Sequence, residues 1–302
     1  MAFTIRIERF DTPLAARLDT AAAQPGPGEV VLYWLGQAGF VIDAGGYRML
    51  IDPYLSDSLA RKYRGSAFPH TRMMAPPIVP GDLTRLDLVL CTHRHTDHMD
   101  PDTLQALAAR FPALRFVVPA ASIDEARRRC GVDDARLVCV DAGDRVEVLP
   151  GVTVQPLPSA HETLQPDADG RHEWLGYVLD IGGLRLYHSG DCIPYPGLDG
   201  SVAALAPHAA LLPVNGRDHG RSSNGVPGNF TLDEAIALCR NAGMSTMVAH
   251  HYGMFDFNTV APDIIDARAD AEEPGGFTLW RARTGCALTF SRSGQAPLQN
   301  NP

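Results

Sequence analysis

Hydrophobic and polar positions along the chain follow two periods, and their succession lays out a set of elements before any chemistry is considered. Residues 29–52, "EVVLYWLGQAGFVIDAGGYRMLID", read as two or three strands joined by glycine turns, with "AGG" as a hairpin signal. Residues 53–82 are rich in Pro, Arg and Met with little periodicity, which predicts a long loop or a broken helix. A buried strand follows at 86–91. "DPDTLQALAARF" then starts a helix, with Asp100 as N-cap, Pro101 at the first helical position, and Leu104, Leu107, Ala108 and Phe111 on one face. "RFVVP" reads as a short buried strand, "SIDEARRRCG" as a helix closed by Gly131, and residues 136–160 as alternating strands and turns.

Further along, "LGYVLDIGGLRLYHSGD" is a hairpin around Gly182 and Gly183, and "AALLPV" is a strand leading into the polar, glycine-rich "NGRDHGRSSNGVPGN". "TLDEAIALCRNAG" carries a capping box of Thr231 and Glu234, a helical face of Leu232, Ala235, Ile236 and Cys239, and a terminating Gly243. "STMVAHHYGMF" returns to strand, and a helix over 262–271 and a closing hairpin over 277–290 complete the pattern. Strand clusters interleaved with strand–helix alternation imply a mixed α/β (α+β) architecture. No linker with a composition shift interrupts it, so residues 1–302 read as one domain with a disordered tail over about 292–302.

Composition narrows the setting. With 45% apolar and 20% charged residues, the chain has the make-up of a soluble globular enzyme. A net charge of −9 argues against a nucleic-acid surface, which needs a concentrated positive field, but leaves room for a small basic pocket. The N-terminus has no apolar core behind a basic start, and no apolar run reaches the ~18 residues of a membrane span. Six scattered cysteines without a C-x-x-C pair read as reduced thiols, and together these features predict a cytoplasmic protein.

The candidate chemistry lies in "CTHRHTDHMD", residues 91–100, directly after the buried strand. His93 and His95 are one residue apart, so in an extended segment both imidazoles point to one side and can converge on one ion. Asp97 and His98 follow after a turn and cannot aim at the same spot. They are suited to a second ion, since two-metal hydrolase sites hold their ions roughly 3.5–4 Å apart. Four ligands are too few for two ions. Three later positions end predicted strands in the same way: His161 in "VQPLPSAHE", Asp191 in "LRLYHSGD", and His250 with His251 in "STMVAHHYG". The bland alternative is a solvated polar loop, which four ligand-type residues in six positions make a poor account.

The H-x-H-x-D-H run, a later strand-end His, an S/T-G-D and a final His together resemble the metallo-β-lactamase superfamily. The resemblance spans nearly the whole chain. It implies a four-layer αββα sandwich with a two-metal site between its sheets. His93, His95 and His161 would then hold the first ion, Asp97, His98 and the last histidine the second, with Asp191 bridging. His251 is the expected last ligand rather than His250, because the family's last ligand usually opens a short H-Y/W-G-like turn, matched by "HYGMF". Adjacent strand residues face opposite ways, so only one of the two reaches the metals. Asp52 in "MLIDP" matches a frequent family aspartate and would orient a ligand histidine; a turn-forming Asp before Pro is the alternative.

Within the superfamily, "WLGQAGFVID", "LIDPYLSD", "CTHRHTDHMDPDTL", "HSGD", "LPVNGRD", "GNFTLDEAIALCRNAG" and "HHYGMF" are most similar to the L-ascorbate-6-phosphate lactonase family. That resemblance implies a cytoplasmic, manganese-type enzyme that opens a sugar-acid lactone. The expected reaction is attack by a metal-bridging hydroxide, with Asp97 and Asp191 as catalytic carboxylates. Ligation by His and carboxylate without thiolate suits two divalent ions of Mn, Zn or Fe. Cys192, beside Asp191, reads as a small buried residue.

Substrate anchors are sought in the polar loop, where Asn215, Arg217 and Arg221 stand beside a metal-bearing strand end and could fork onto a phosphate or carboxylate. Internal pairing of Arg217 is the competing reading. Gln37, in the Gly-Gln-Ala turn, either lines the pocket or serves the turn. "RKYR" at 61–64 either steers anions or covers a helix surface. The partner expected is a small anionic substrate, without nucleic acid or membrane, and homo-oligomer formation stays open. The competing functions are a phosphodiesterase or ribonuclease of the same superfamily and a non-catalytic binding protein on this fold.

Overall fold

The computed structural model describes residues 3–164, 166–272 and 276–292. The expected tail lies, from residue 293 on, outside the described residues. In chain order the strands are β1 (Phe3–Arg9), β2 (Val30–Gly36), β3 (Gly39–Ala44), β4 (Tyr47–Ile51), β5 (Leu88–Leu90), β6 (Arg115–Pro119), β7 (Leu137–Val140), β8 (Val146–Leu149), β9 (Val152–Pro158), β10 (Leu175–Ile181), β11 (Leu184–His188), β12 (Ala209–Pro213), β13 (Thr246–His250), β14 (Thr278–Arg281) and β15 (Cys286–Arg292). The α-helices are α1 (Leu14–Leu18), α2 (Ser58–Lys62), α3 (Pro101–Arg110), α4 (Ile123–Cys130), α5 (Leu198–Leu205), α6 (His219–Ser223), α7 (Leu232–Asn241) and α8 (Pro262–Asp270).

Two mixed sheets face each other. One runs β1-β15-β2-β3-β4-β5-β6-β7 and the other β14-β13-β12-β11-β10-β9-β8. Strand β2 shows why four layers form. Its residues are apolar on both faces and wholly buried, so each face needs a cover. Val30, Leu32 and Trp34 join the core between the sheets, while Val31, Tyr33 and Leu35 pack outward with Leu14 and Leu18 of α1, Leu104 and Leu107 of α3 and Cys130 of α4. On the other sheet, Val202 of α5, Ile236 and Cys239 of α7 and Ile265 of α8 provide the outer cover. The result is the αββα sandwich. No helix among the described residues is long and apolar enough to cross a membrane.

Several elements depart from the sequence reading. Strand β1 pairs antiparallel with β15 as an edge, its half-buried Phe3 and Ile5 packing at the rim of the core that holds Phe290 of β15. Residues 277–290 do not form a hairpin: β14 lies parallel to β13 in one sheet, while β15 crosses to the other, between β1 and β2. The 53–82 segment contains the short helix α2 and a 3-10 turn at Pro80–Asp82 and is irregular between them. Asp100 precedes α3, but its carboxylate accepts from Ser58 Oγ and Thr103 Oγ1, not from the helix backbone, so it ties the 53–82 segment to α3. The hairpin β10–β11, the capping box of α7 and the left-handed Gly131 after α4 match the sequence pattern.

Candidate metal centre

Strands β4, β5, β9, β11 and β13 all point their C-terminal ends to one edge of the sandwich, and each end delivers polar side chains there. After β5 the chain turns through residues 91–98, with His98 N and Met99 N both donating to the His95 carbonyl. That turn separates the donors into two sets. His93, His95, His161 and Asp191 present ligand atoms within 4.8 Å of one another, and Asp97, His98 and His251 form a second such set. Donors sharing one ion at ~2.1 Å stand no more than about 4.2 Å apart, so both sets are close to a shared-ion geometry.

Asp191 faces both sets. Its Oδ2 is 3.9 Å from His161 Nε2, and its Oδ1 is 3.2 Å from Nε2 of both His98 and His251. Gly190 lets it do so. With φ of +60° and Leu175 O only 2.7 Å from where a Cβ would stand, no side chain fits at that position.

Tautomers follow from the partners. Asp52 accepts from Thr92 N at 2.8 Å and Thr92 Oγ1 at 2.7 Å, and its Oδ2 lies 2.7 Å from His98 Nδ1. A carboxylate here only accepts, so Nδ1 of His98 carries hydrogen and Nε2 faces the donor cluster. Because the Thr92 hydroxyl spends its hydrogen on Asp52, it accepts from His93 Nδ1 at 3.1 Å, which turns His93 Nε2 inward as well. The Nε2 atoms of His93 and His98 and Oδ1 of Asp191 are buried without an aligned hydrogen-bond partner. Buried polar atoms left this way are costly unless something else satisfies them. Three orphaned donors of N and O type, converging, fit divalent ions of the Mn, Zn or Fe kind.

The electrostatics fit ligation by the first set, and at the second an ion would displace the proton from His98 Nε2. Burial lowers the pKa of His93 and His95, and that of His161 to about 3, so all three are neutral with lone pairs available. Burial opposes the His98 imidazolium too, but Asp191, Asp52 and Asp97 outweigh it and hold its pKa well above the ordinary value. Burial disfavours the charged forms of Asp191 and Asp97, yet His98 and His251 keep both carboxyls below the usual range.

His250 and His251 separate as the strand geometry requires. His251, with φ of +61° and its N–H donating to the Gln37 carbonyl, turns into the cluster. His250 points the other way and is stacked on His188 at 5.0 Å, with Phe40 edge-on. Gln37 itself stands in the site. Its Nε2 donates to Asp97 Oδ2 at 2.8 Å and lies 3.2 Å from His251 Nε2. Cys192 is buried, with its thiol pushed up to about 12, and joins neither set.

Above the donors lies a cavity of about 630 Å³ whose wall includes His95, Asp97, His161, Asp191 and His251. A family model for the beta-lactamase superfamily domain matches residues 47–252, the span that carries all seven candidate donors. A UPF0173 metal-dependent hydrolase of Myxococcus xanthus is 30% identical over 283 residues, covering 88% of each chain. The chain belongs to the metallo-β-lactamase superfamily. With that relative it stands among the metal-dependent hydrolases of the superfamily. Its fold resembles the isothiocyanate hydrolase from Delia radicum gut bacteria, with a TM-score of 0.66 over 85% of this chain and 97% of that one at 20% identity. A stretch of 164 residues is 27% identical to the N-acyl-phosphatidylethanolamine-hydrolyzing phospholipase D 1 of Caenorhabditis elegans, covering 52% of this chain and 45% of that protein.

In this superfamily hydrolase the anchors expected from the polar loop do not line the cavity. Arg217 forks onto Glu234 at 2.6 and 2.7 Å and so braces the start of α7. Arg221 is held by Asp218 at 2.5 Å and by Asn258 at 2.7 Å. Asn215 is buried, donating to Asn258 and accepting from Asn229. This network meets the wall through Asn258, and through Asn224 and Val226, whose N–H groups donate to the Arg221 carbonyl. Both arginines have satisfied their forks inside the protein, which leaves little to offer a ligand. The wall cations are instead Lys62, Arg94 and Arg129. Lys62 belongs to "RKYR", whose basic character was the available signal; Arg94 sits inside the opening motif, hidden by its histidines; Arg129 reads as ordinary helix surface.

Proposed function

We propose that this superfamily hydrolase uses two divalent ions, of Mn, Zn or Fe, to open a lactone or similar ester of a phosphorylated or otherwise anionic sugar acid. The observation that carries the reading is Asp191, one carboxylate within reach of both donor sets at the floor of a cavity with cationic walls. Bound at such a site, two ions polarise a substrate carbonyl and bring the pKa of water toward neutrality. The chain supplies the rest. Asp97, ionised and held through Oδ2 by Gln37, takes up the proton of the attacking water. Lys62, with no carboxylate partner among the described residues, pairs with the substrate anion, while Arg94 and Arg129 share theirs with Glu173 and Glu125. The similarity of "HSGD", "NGRD" and "HHYGMF" to the L-ascorbate-6-phosphate lactonases supports the sugar-acid class. Six free cysteines support a reducing, cytoplasmic setting.

Metal analysis combined with a substrate panel tests this. About two divalent ions per chain and turnover of phosphorylated sugar lactones are expected. Turnover of phosphodiesters alone would favour the second reading, a phosphodiesterase, which the relative named as a phospholipase D supports.

A further inference from the structure

His70, on the segment between α2 and β5, lines the same cavity as Asp97, Asp191 and His251, yet belongs to neither donor set. Its backbone has φ of +53°, a conformation that non-glycine residues adopt at a cost and that clusters at functional sites. The ring is clamped. Tyr63 stacks on it at 4.3 Å, and Phe255 and Phe257 meet it edge-on at 4.9 and 4.8 Å. Its Nδ1 lies 2.5 Å from the Phe68 carbonyl oxygen. A carbonyl only accepts, so Nδ1 carries hydrogen, and in the neutral ring Nε2 is then a bare acceptor. Burial lowers the pKa of the ring, against smaller opposing pulls from the Phe68 carbonyl and then Asp97, so the neutral form prevails near pH 7. Nε2 has no partner among the described residues and is not sealed by protein.

The rest of the wall is rich in donors, with Lys62, Arg94 and Arg129 among them, while Glu125 is occupied by arginines. A substrate hydroxyl therefore finds neutral acceptors in Ser66, Asn224 and His70, of which His70 is the one clamped between aromatic rings. We propose that His70 is a specificity-determining residue whose Nε2 accepts a hydrogen bond from a hydroxyl or N–H of the bound ester. The assignment rests on the hydrolase reading above. A ring needed only to fill the aromatic cluster would have no use for a fixed tautomer with its acceptor open to the cavity.

His70→Asn is the informative variant. Asparagine tolerates the left-handed backbone and can keep the bond to Phe68, but it lacks an atom at the Nε2 position. On metal-loaded protein, kcat/KM for 6-phosphogluconolactone should fall roughly 10–100-fold, while that for δ-valerolactone, which has no hydroxyl, should stay within about 2-fold. An equal fall for both would reduce His70 to a packing role and overturn the proposal. If the wild type opens neither lactone, the ester reading fails by itself. Calorimetry then decides His70: gluconate should bind more weakly to His70→Asn than to wild type, with pentanoate unchanged, and equal losses overturn the assignment. Independently, ¹⁵N NMR of the metal-loaded protein should show the proton on Nδ1; a proton on Nε2 overturns it whatever the substrate.

Discussion

Among the described residues, six non-glycine residues have positive φ, and five of them belong to or adjoin the site: Gln37, Asp52, His70, Glu162 and His251, with Ala206 apart. Each such residue costs on the order of 1–3 kcal/mol and persists because its neighbours fix it. Asp52 makes the point testable. Asp52→Asn keeps the shape and the left-handed backbone but removes the charge and one of the acceptors shared by Thr92 and His98. Metal affinity, measured by chelator competition, should weaken about 10–100-fold; an unchanged affinity would mean that Asp52 does not orient His98. The neighbouring histidines should divide cleanly. His251→Ala should lower the bound metal count, whereas His250→Ala should leave it intact and cost about 2–4 kcal/mol in urea unfolding, because it empties core beside His188 and Phe40. The seven candidate donors were legible in the sequence because four crowd into one run after a buried strand and the other three follow predicted strands. Gln37 was legible as a residue that lines the pocket or serves the turn, but not its bond to Asp97. His70 gave no sign, since what marks it is a tautomer and a backbone angle.

Elements show where local pattern and long-range pairing part. "FTIRI" in β1 alternates apolar and polar as an edge strand should, a signal short enough to pass as part of a terminus. The turn between β14 and β15 looks like that of a hairpin, but β14 completes a parallel run beside β13 and β15 closes the other sheet, and partner choice of that kind is not written in a local window. The arginines of the polar loop misled for a related reason. A fork at a strand end suits an anion, and here the anion is Glu234. Arg217→Ala should therefore destabilise the protein by about 1 kcal/mol and leave KM unchanged; a large rise in KM would return Arg217 to the substrate. Helix α8 is tied to β14 by Asp266, which Arg281 chiefly, with Arg283, holds down to about 2. Its folded pKa lies below the ordinary 3.8, so its contribution is full above about pH 4 and disappears as the pH falls through about 2. The pair is partly exposed, so Asp266→Asn should cost no more than about 1 kcal/mol at pH 7, and the difference from wild type should vanish near pH 2.

At the scale of the whole molecule, the donors come from both sheets. His93, His95, Asp97 and His98 follow β5 of one, while His161, Asp191 and His251 follow β9, β11 and β13 of the other. Ions held there would join the two halves of the sandwich at one edge, where the buried carboxylates and imidazoles otherwise leave polar atoms unsatisfied. Such binding acts on the native state alone, because the unfolded chain does not bring the two halves together. Stabilisation should then grow with free metal as a binding linkage, about 2.7 kcal/mol at a hundredfold excess over Kd. For a chain of this size that corresponds to a rise in Tm of roughly 4 °C. Chelation should reverse the rise, and His161→Ala and His98→Ala, one donor from each sheet, should each blunt the response to added metal. A Tm indifferent to metal across that range would mean that no ion binds the native site in preference to the unfolded chain, and Asp191 would lose its place as the shared ligand.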